Sequence, residues 1–431
     1  MIIRILIVIV VMTLLLAPGL AMAAEEGAGH RDPVAPFLLS LAVVLVAAKF
    51  GGELFERIGQ PAVLGELVAG VVIGNLDYLT GLDIFAGLRS DSFIDIFARI
   101  GVVVLLFEVG LHTNLTDMMK VGGSSLVVAL LGIVAPIALG FGVGIVLLPE
   151  ASWNSHAFLA ATLAATSVGI TARVLKDMGR LQRRESQIVL GAAVIDDVIG
   201  LILLAVVIGL VTAGTVTATA VVRIVIVSVL FLAGTVVLGG RVVSAFAQGV
   251  SRMRVGGMKL ITSLGFCFGM AFLADLIGLA PIVGAFAAGL VLKEGMFSGF
   301  SGQKPLTEML EPLTTLFVPI FFVLMGVQVR LETFGDLKIL TLGAALTVVA
   351  IVGKQICSFG VLERGLDRLT VGVGMVPRGE VGLIFASMGR GLGVLDDALF
   401  TALVMMVIIT TFVTPPALRW TMARHEKKQA A

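Results

Sequence analysis

Charge is scarce in this sequence. Asp, Glu, Lys and Arg make up 14 % of the residues and hydrophobic types 58 %, against about 25 % and 45–50 % in soluble domains. With a mean hydropathy of +1.09, the chain reads as an all-α polytopic membrane protein, with the lipid bilayer as its surroundings. Cysteine is almost missing: Cys267 and Cys357 are the two, both in apolar segments, which speaks against a disulfide framework or a thiolate metal site. Histidine is equally sparse, and His30, His112, His156 and His425 are too scattered to form a ligand cluster. No cofactor, nucleic-acid partner or enzymatic activity is expected.

What is present in abundance is long apolar runs. The first follows Arg4 and extends from Ile5 to Leu16, ahead of Ala21-Met22-Ala23. Its shortness and the small-x-small site predict a signal peptide over 1–23. Windows of about 20 apolar residues then predict thirteen spans. They cover 35–55, 62–77, 93–114, 121–148, 156–176, 185–212, 215–245, 257–278, 279–295, 312–330, 335–362, 368–390 and 395–420, leaving 421–431 as a short tail. Placing the mature N-terminus outside puts twenty Lys/Arg in cytoplasmic segments and at the inner ends of spans, and five in outer segments and span ends. That bias predicts an external N-terminus, a cytoplasmic C-terminus and an odd number of helices.

Two stretches repeat. Pro61-Ala-Val-Leu-Gly65-Glu-Leu-Val-Ala-Gly70 matches Pro281-Ile-Val-Gly284-Ala-Phe-Ala-Ala-Gly289, and Val109-Gly110-Leu-His-Thr-Asn-Leu115 matches Met325-Gly326-Val-Gln-Val-Arg-Leu331. Both matches pair the second and third spans with the ninth and tenth. An offset of seven helices is odd, so the copies, about 35–212 and 257–420, would run through the membrane in opposite directions. Inverted repeats of this kind place a transporter's site at mid-membrane and build it from interrupted helices at matching positions. The fifth span carries the small polar cluster Thr166-Ser167-Val168-Gly169-Ile170-Thr171. Its counterpart, the twelfth, carries Gly372-Val-Gly374-Met-Val-Pro377-Arg378-Gly379-Glu380. Pro377 cannot donate to the helical ladder, and unwound backbone at membrane depth is tolerated only inside protein or along a cavity.

Charges within the spans then need partners. Asp196 and Asp197 adjoin in the otherwise apolar run 188–208, Lys354 lies inside the eleventh span, and Arg378 and Glu380 flank the break in the twelfth. A carboxylate at a membrane helix centre costs roughly 2.5–3.5 kcal/mol even on lenient insertion scales, and such residues mark ion or proton pathways. Neighbouring residues of a helix point about 100° apart, so the two aspartates cannot do the same job. An Asp–Lys pair across the two halves would satisfy one of them. A buried carboxylate tuned toward neutral pH can trade a proton for a hard cation. Carboxylate, hydroxyl and carbonyl oxygens from Asp197, Thr166, Ser167 and the unwound backbone are suitable ligands for Na⁺ or Li⁺, and for K⁺ if the site is larger.

At these residues the chain resembles bacterial sodium/proton antiporters of the NapA kind and, more distantly, the NhaA kind. The marks are Ala165-Thr-Ser-Val-Gly-Ile-Thr171, Ile195-Asp-Asp-Val-Ile-Gly200, Gly353-Lys354 and Met375-Val-Pro-Arg-Gly-Glu-Val381. The resemblance implies a homodimer with a mobile core that carries the site in an elevator-like movement. It further implies Asp197 as the carboxylate that binds the transported Na⁺ or Li⁺, Asp196 as partner of Lys354, and electrogenic exchange. Ser167 stands where NhaA-like members carry an aspartate, so compensation of the helix ends would follow the NapA pattern, with Arg378 and Glu380 contributing. A potassium/proton antiporter or potassium-efflux protein of the same fold stays open, as does, more remotely, a sodium-coupled organic-anion symporter.

Overall fold

The computed structural model describes residues 34–80, 86–213, 218–250, 257–297, 304–332 and 336–430. The expected signal segment, 1–23, lies outside the described residues. All regular structure among the described residues is helical. The main helices are α1 (Val34–Arg57), α2 (Ala62–Gly74), α3 (Ser92–His112), α4 (Gly122–Leu147), α5 (Trp153–Ala164), α6 (Val168–Asp177), α7 (Arg184–Ala213) and α8 (Ala218–Gly234). They continue with α9 (Gly240–Val250), α10 (Met258–Leu276), α11 (Pro281–Val291), α12 (Leu306–Val327), α13 (Leu337–Ile356), α14 (Arg368–Gly374), α15 (Glu380–Gly391) and α16 (Asp397–Ala430).

Nine stretches among the described residues are long and apolar enough to cross a membrane. Shorter apolar helices occur at α2 and α11, where the sequence predicts its two shortest spans. Most of the nine leave two thirds or more of their apolar window uncovered, whereas Trp153–Asp177 is 94 % buried. That span is therefore lined by protein, the condition under which its backbone can unwind.

Two features lie beyond what hydropathy windows show. Between α8 and α9 the helix widens into one π turn at Thr235–Gly239. At the C-terminus, α16 runs on through residues 421–430 rather than stopping where hydropathy falls. A hydropathy window finds the edge of the apolar layer, not the end of the hydrogen-bond ladder, and Ala, Arg, Glu, Lys and Gln are good helix formers in water.

The chain divides into two compact units, one of residues 1–101 and 315–335, the other of 102–314 and 336–431. In the first, α2 lies against α12 so closely that a Cβ on Gly70 would sit 2.0 Å from the Val323 carbonyl oxygen, and one on Gly326 2.1 Å from that of Leu67. Beyond α2, Asn75 ties the contact: its amide donates to the carbonyls of Val71 and Val329, both at 2.8 Å, and its oxygen accepts from Leu331 N at 2.8 Å.

In the second unit, α11 meets the later part of α3 in the same manner. A Cβ on Gly110 would sit 2.4 Å from Phe286 O, and one on Gly289 2.1 Å from Phe107 O. Each of the two repeated Gly motifs thus packs against the other motif's distant copy. Only glycine permits such backbone contact, which is the small-residue packing that substitutes for a hydrophobic driving force between membrane helices.

The rest of the second unit is a bundle in which α4 packs against α5, α7 and α13, and α13 against α16. One apolar cluster joins Phe158, Leu163, Phe385, Leu399 and Met406. Another joins Val128, Ile188, Val189, Cys357, Val371 and Met375. These clusters fix α5, α7, α13, α14 and α15 around the charged residues.

Candidate ion-binding site

The two interruptions meet. Between α5 and α6, Ala165 turns extended (φ −56°, ψ 137°), as does Ser167 (φ −99°, ψ 105°). Between α14 and α15, residues Met375–Gly379 leave the helix, with Gly379 at φ −149°, ψ −139°. Pro377 explains that break: it cannot donate, and it disfavours helical geometry in Val376. The freed backbone groups bond across the gap. Ser167 N donates to Pro377 O at 2.8 Å, and Thr171 Oγ1 donates to Gly374 O at 2.7 Å.

Arg378 fills the space between the two breaks. It is wholly buried, and its guanidinium donates to Leu163 O from Nη2 at 2.6 Å and from Nε at 3.1 Å. It also reaches Val376 O at 2.6 Å, Met375 O at 3.3 Å and Ala350 O at 3.4 Å. The last carbonyls of a helix have no partner within it and carry partial negative charge. One guanidinium therefore satisfies the carbonyl ends of both α5 and α14. Thr411, from α16, anchors the same residue by donating to Arg378 O at 2.5 Å. Glu380 opens α15; its side chain lies outside the described residues.

Beside this knot stands the aspartate pair of α7. Lys354 Nζ, on α13, lies 2.9 Å from Asp196 Oδ2, with both side chains no more than 2 % exposed. Thr166 Oγ1, from the first break, donates to the same oxygen. A Cβ on Gly132 of α4 would stand 3.3 Å from Lys354 Nζ, so the absence of a side chain there makes room for the ammonium. Asp196 Oδ1 is buried with no hydrogen-bond partner. Asp197 is the next residue, also buried, at 8 % exposure, as are Thr166 at 5 % and Ser167 at 8 %.

The structure therefore brings Thr166, Asp196 and Lys354 into direct contact and sets Ser167, Asp197 and Arg378 on the flanking segments. One carboxylate is neutralised by a fixed cation and a hydroxyl. The other occupies an adjacent, differently directed position on the same helix. Carboxylates and hydroxyls thus stand beside two interrupted helices whose carbonyls are held by Arg378, Ser167 N and Thr171 Oγ1.

Sequence reasoning passed over Thr411 and Gly132, ordinary residues in apolar runs, whose roles depend on which helix lies opposite. It also passed over another buried carboxylate, Glu108 on α3, which pairs with Lys176 of α6 at 2.7 Å. A carboxylate in an apolar run four residues before His112 was the available signal.

Comparison with known proteins gives the family. The family model described as "Sodium/hydrogen exchanger, transmembrane" matches residues 39–424. The high-affinity Na⁺/H⁺ antiporter NhaS3 of Synechocystis sp. is 35 % identical, over 96 % of each chain. The Na⁺/H⁺-K⁺ antiporter GerN of Bacillus cereus is 36 % identical, over 92 % of this chain and 98 % of its own. Among solved structures, the sodium proton antiporter MjNhaP1 of Methanocaldococcus jannaschii superposes with a TM-score of 0.61 over 89 % of this chain. At 17 % identity that match speaks for the fold alone. The chain belongs to the sodium/hydrogen exchanger family of membrane transporters.

Proposed function

We propose that this protein is an electrogenic antiporter that exchanges protons for Na⁺ or Li⁺. In this reading Asp197 is the carrier carboxylate. It holds either a proton or the cation, with Thr166, Ser167 and unwound backbone carbonyls completing the cation's oxygen shell. Asp196 stays tied to Lys354. The observation that carries the reading is the position of the aspartate pair beside the two hydrogen-bonded interruptions, with one aspartate already neutralised by a buried lysine. A site of fixed charge next to a second carboxylate that holds either a proton or a cation binds two alternative cargoes by competition, which suffices for coupling.

The wider frame is proposed with it. Thirteen spans in inverted repeats, an external mature N-terminus after signal removal and a cytoplasmic C-terminus in a bacterial inner membrane fit the loop charges. A homodimer with an elevator-like core, its two interrupted helices crossing at the site, fits the resemblance to NapA-like antiporters. K⁺ is a second candidate cargo, favoured by the name of the Bacillus cereus relative, which includes K⁺.

The test is reconstitution in proteoliposomes with a pH-sensitive dye, an imposed ΔpH and additions of Na⁺, Li⁺ and K⁺ in turn. The experiment is repeated with the membrane potential clamped. The proposal expects dequenching with Na⁺ and Li⁺, and a rate that responds to the clamp. Absence of cation-dependent proton movement would overturn the antiport reading; response to K⁺ alone would overturn the choice of cation.

A further inference from the structure

The last turns of α16 carry two faces. Leu418, Thr421 and Met422 are buried against the bundle, whereas Arg419, Trp420, Ala423 and Arg424 are exposed. Trp420, one of two tryptophans in the chain, leaves 60 % of its surface open. Lys427 and Lys428 stand seven and eight residues beyond it, the spacing that returns to the same side of a helix. The span read from hydropathy ends at residue 420, so the indole and these cations fall where the apolar layer gives way to headgroups. Tryptophan is enriched at that level because its ring is amphipathic.

Arg424 is oriented but unsatisfied. Its guanidinium stacks over Trp420, 5.6 Å from the ring centre, a contact that leaves the N–H groups of the fork available. Among the described residues neither Arg419 nor Arg424 has a carboxylate or other hydrogen-bond partner. The first turns of α16 offer a contrast. There Arg390 stacks over Phe400 at 5.0 Å, but Asp397 meets its charge at 2.8 Å. Of the two stacked arginines, the one at the start of α16 is neutralised and the one near its end is not.

A planar guanidinium fork matches phosphate oxygens bidentately, and cations next to a membrane helix are drawn to an anionic cytoplasmic leaflet. We propose that Arg419, Trp420 and Arg424, continued by Lys427 and Lys428, bind the headgroup of an anionic phospholipid in that leaflet. The phosphate takes the fork of Arg424, and the indole lies beside the junction of headgroup and acyl chain. Thr411, which holds Arg378 O, precedes Trp420 by nine residues on the same helix, about 14 Å at the helical rise. A headgroup bound here therefore anchors the helix that braces the second interruption. The choice of leaflet rests on the proposed cytoplasmic placing of the C-terminus; the site does not depend on which cation is carried.

The test uses the full-length protein in a non-ionic detergent at low salt. Trp153→Phe leaves Trp420 as the one indole in the chain. This parent is titrated with phosphatidylglycerol or phosphatidylcholine, each carrying brominated acyl chains that quench a nearby tryptophan. Half-quenching by phosphatidylglycerol is expected at a concentration at least about five-fold below that of phosphatidylcholine, the worth of one cation at an anionic surface. Arg424→Gln is expected to raise the phosphatidylglycerol midpoint by about the same factor. Arg424→Lys, which keeps the charge but not the fork, is expected to raise it less, and Arg390→Gln to leave it unchanged.

Equal midpoints for the two lipids would overturn the proposal, as would an Arg424→Gln protein that binds phosphatidylglycerol like its parent. Inorganic phosphate at the lipid's concentration is expected not to relieve the quenching; relief would reassign the site to a free anion and overturn the lipid as its occupant. Melting in the same detergent checks the fold of each variant, and if Arg424→Gln melts early, Arg419→Gln carries the same comparison. Quenching is read without ion gradients, so a failed titration and a failed antiport assay are separate results.

Discussion

Removing Lys354 exposes how the site is held. Its ammonium lies 2.9 Å from Asp196 Oδ2, and neither side chain is more than 2 % exposed. At an effective dielectric constant of about 20, the attraction across that distance is roughly 6 kcal/mol before desolvation is counted. Breaking one side of such a pair strands the other charge, which typically costs about 3–5 kcal/mol. Lys354→Ala and Asp196→Asn should each therefore lower stability by about that amount. The double variant leaves neither charge behind. Buried pairs replaced together are often near neutral, so its loss should reduce to the cavity and one weakened hydrogen bond, about 1–2 kcal/mol. It should melt above either single variant, the signature of strong coupling between neighbours. The assay is thermal unfolding in one detergent at one fixed scan rate, read as a rank order because membrane proteins of this size unfold irreversibly. A double variant whose loss relative to wild type equals the sum of the two single losses would refute the pairing.

Three further outcomes follow from the same geometry. Thr166→Val removes the hydroxyl that donates to Asp196; losing a hydrogen bond to a charged group should cost about 1.5–3 kcal/mol, measured by the same melts, and no loss would mean the contact contributes nothing. Arg378→Met leaves the carbonyls of Leu163 and Val376 without their donor. It should destabilise the fold by at least about 2–3 kcal/mol, whereas Thr411→Val, which frees only Arg378 O, should cost about 1 kcal/mol; equal losses would contradict the role given to the guanidinium. Gly289→Ala places a methyl 2.1 Å from Phe107 O and should sharply reduce monodisperse protein, while Gly200→Ala, with nothing within 4 Å, should be silent. Size-exclusion profiles of the two variants check this.

Much of the site was legible because membranes make polar residues expensive. Asp196, Asp197 and Lys354 stand out of apolar runs, and Pro377 between glycines announces a broken helix. The first interruption was fainter, since Thr166 and Ser167 could equally serve ordinary helix packing. The structure gives them partners: the Ser167 amide meets Pro377 O, some two hundred positions away, and the Thr166 hydroxyl meets Asp196. The same holds for Thr411, Gly132 and the Glu108–Lys176 pair, whose meaning lies entirely in what they face. Gly70 and Gly289 were readable as a repeated motif, but not as contacts of each motif with the other's distant copy. The helical continuation of α16 through 421–430 was not legible for a different reason: lipid thickness sets where hydropathy falls, and helix propensity carries the hydrogen-bonded ladder beyond it.

The central claim is that Asp197, not Asp196, exchanges its proton for the cation. Asp197→Asn should be reconstituted beside wild type and its Na⁺-driven proton movement followed at a common pH, after melting has shown the fold intact. The account predicts complete loss of exchange with wild-type stability, because the Asp196–Lys354 pair is untouched. Retained Na⁺/H⁺ exchange in that variant would contradict it.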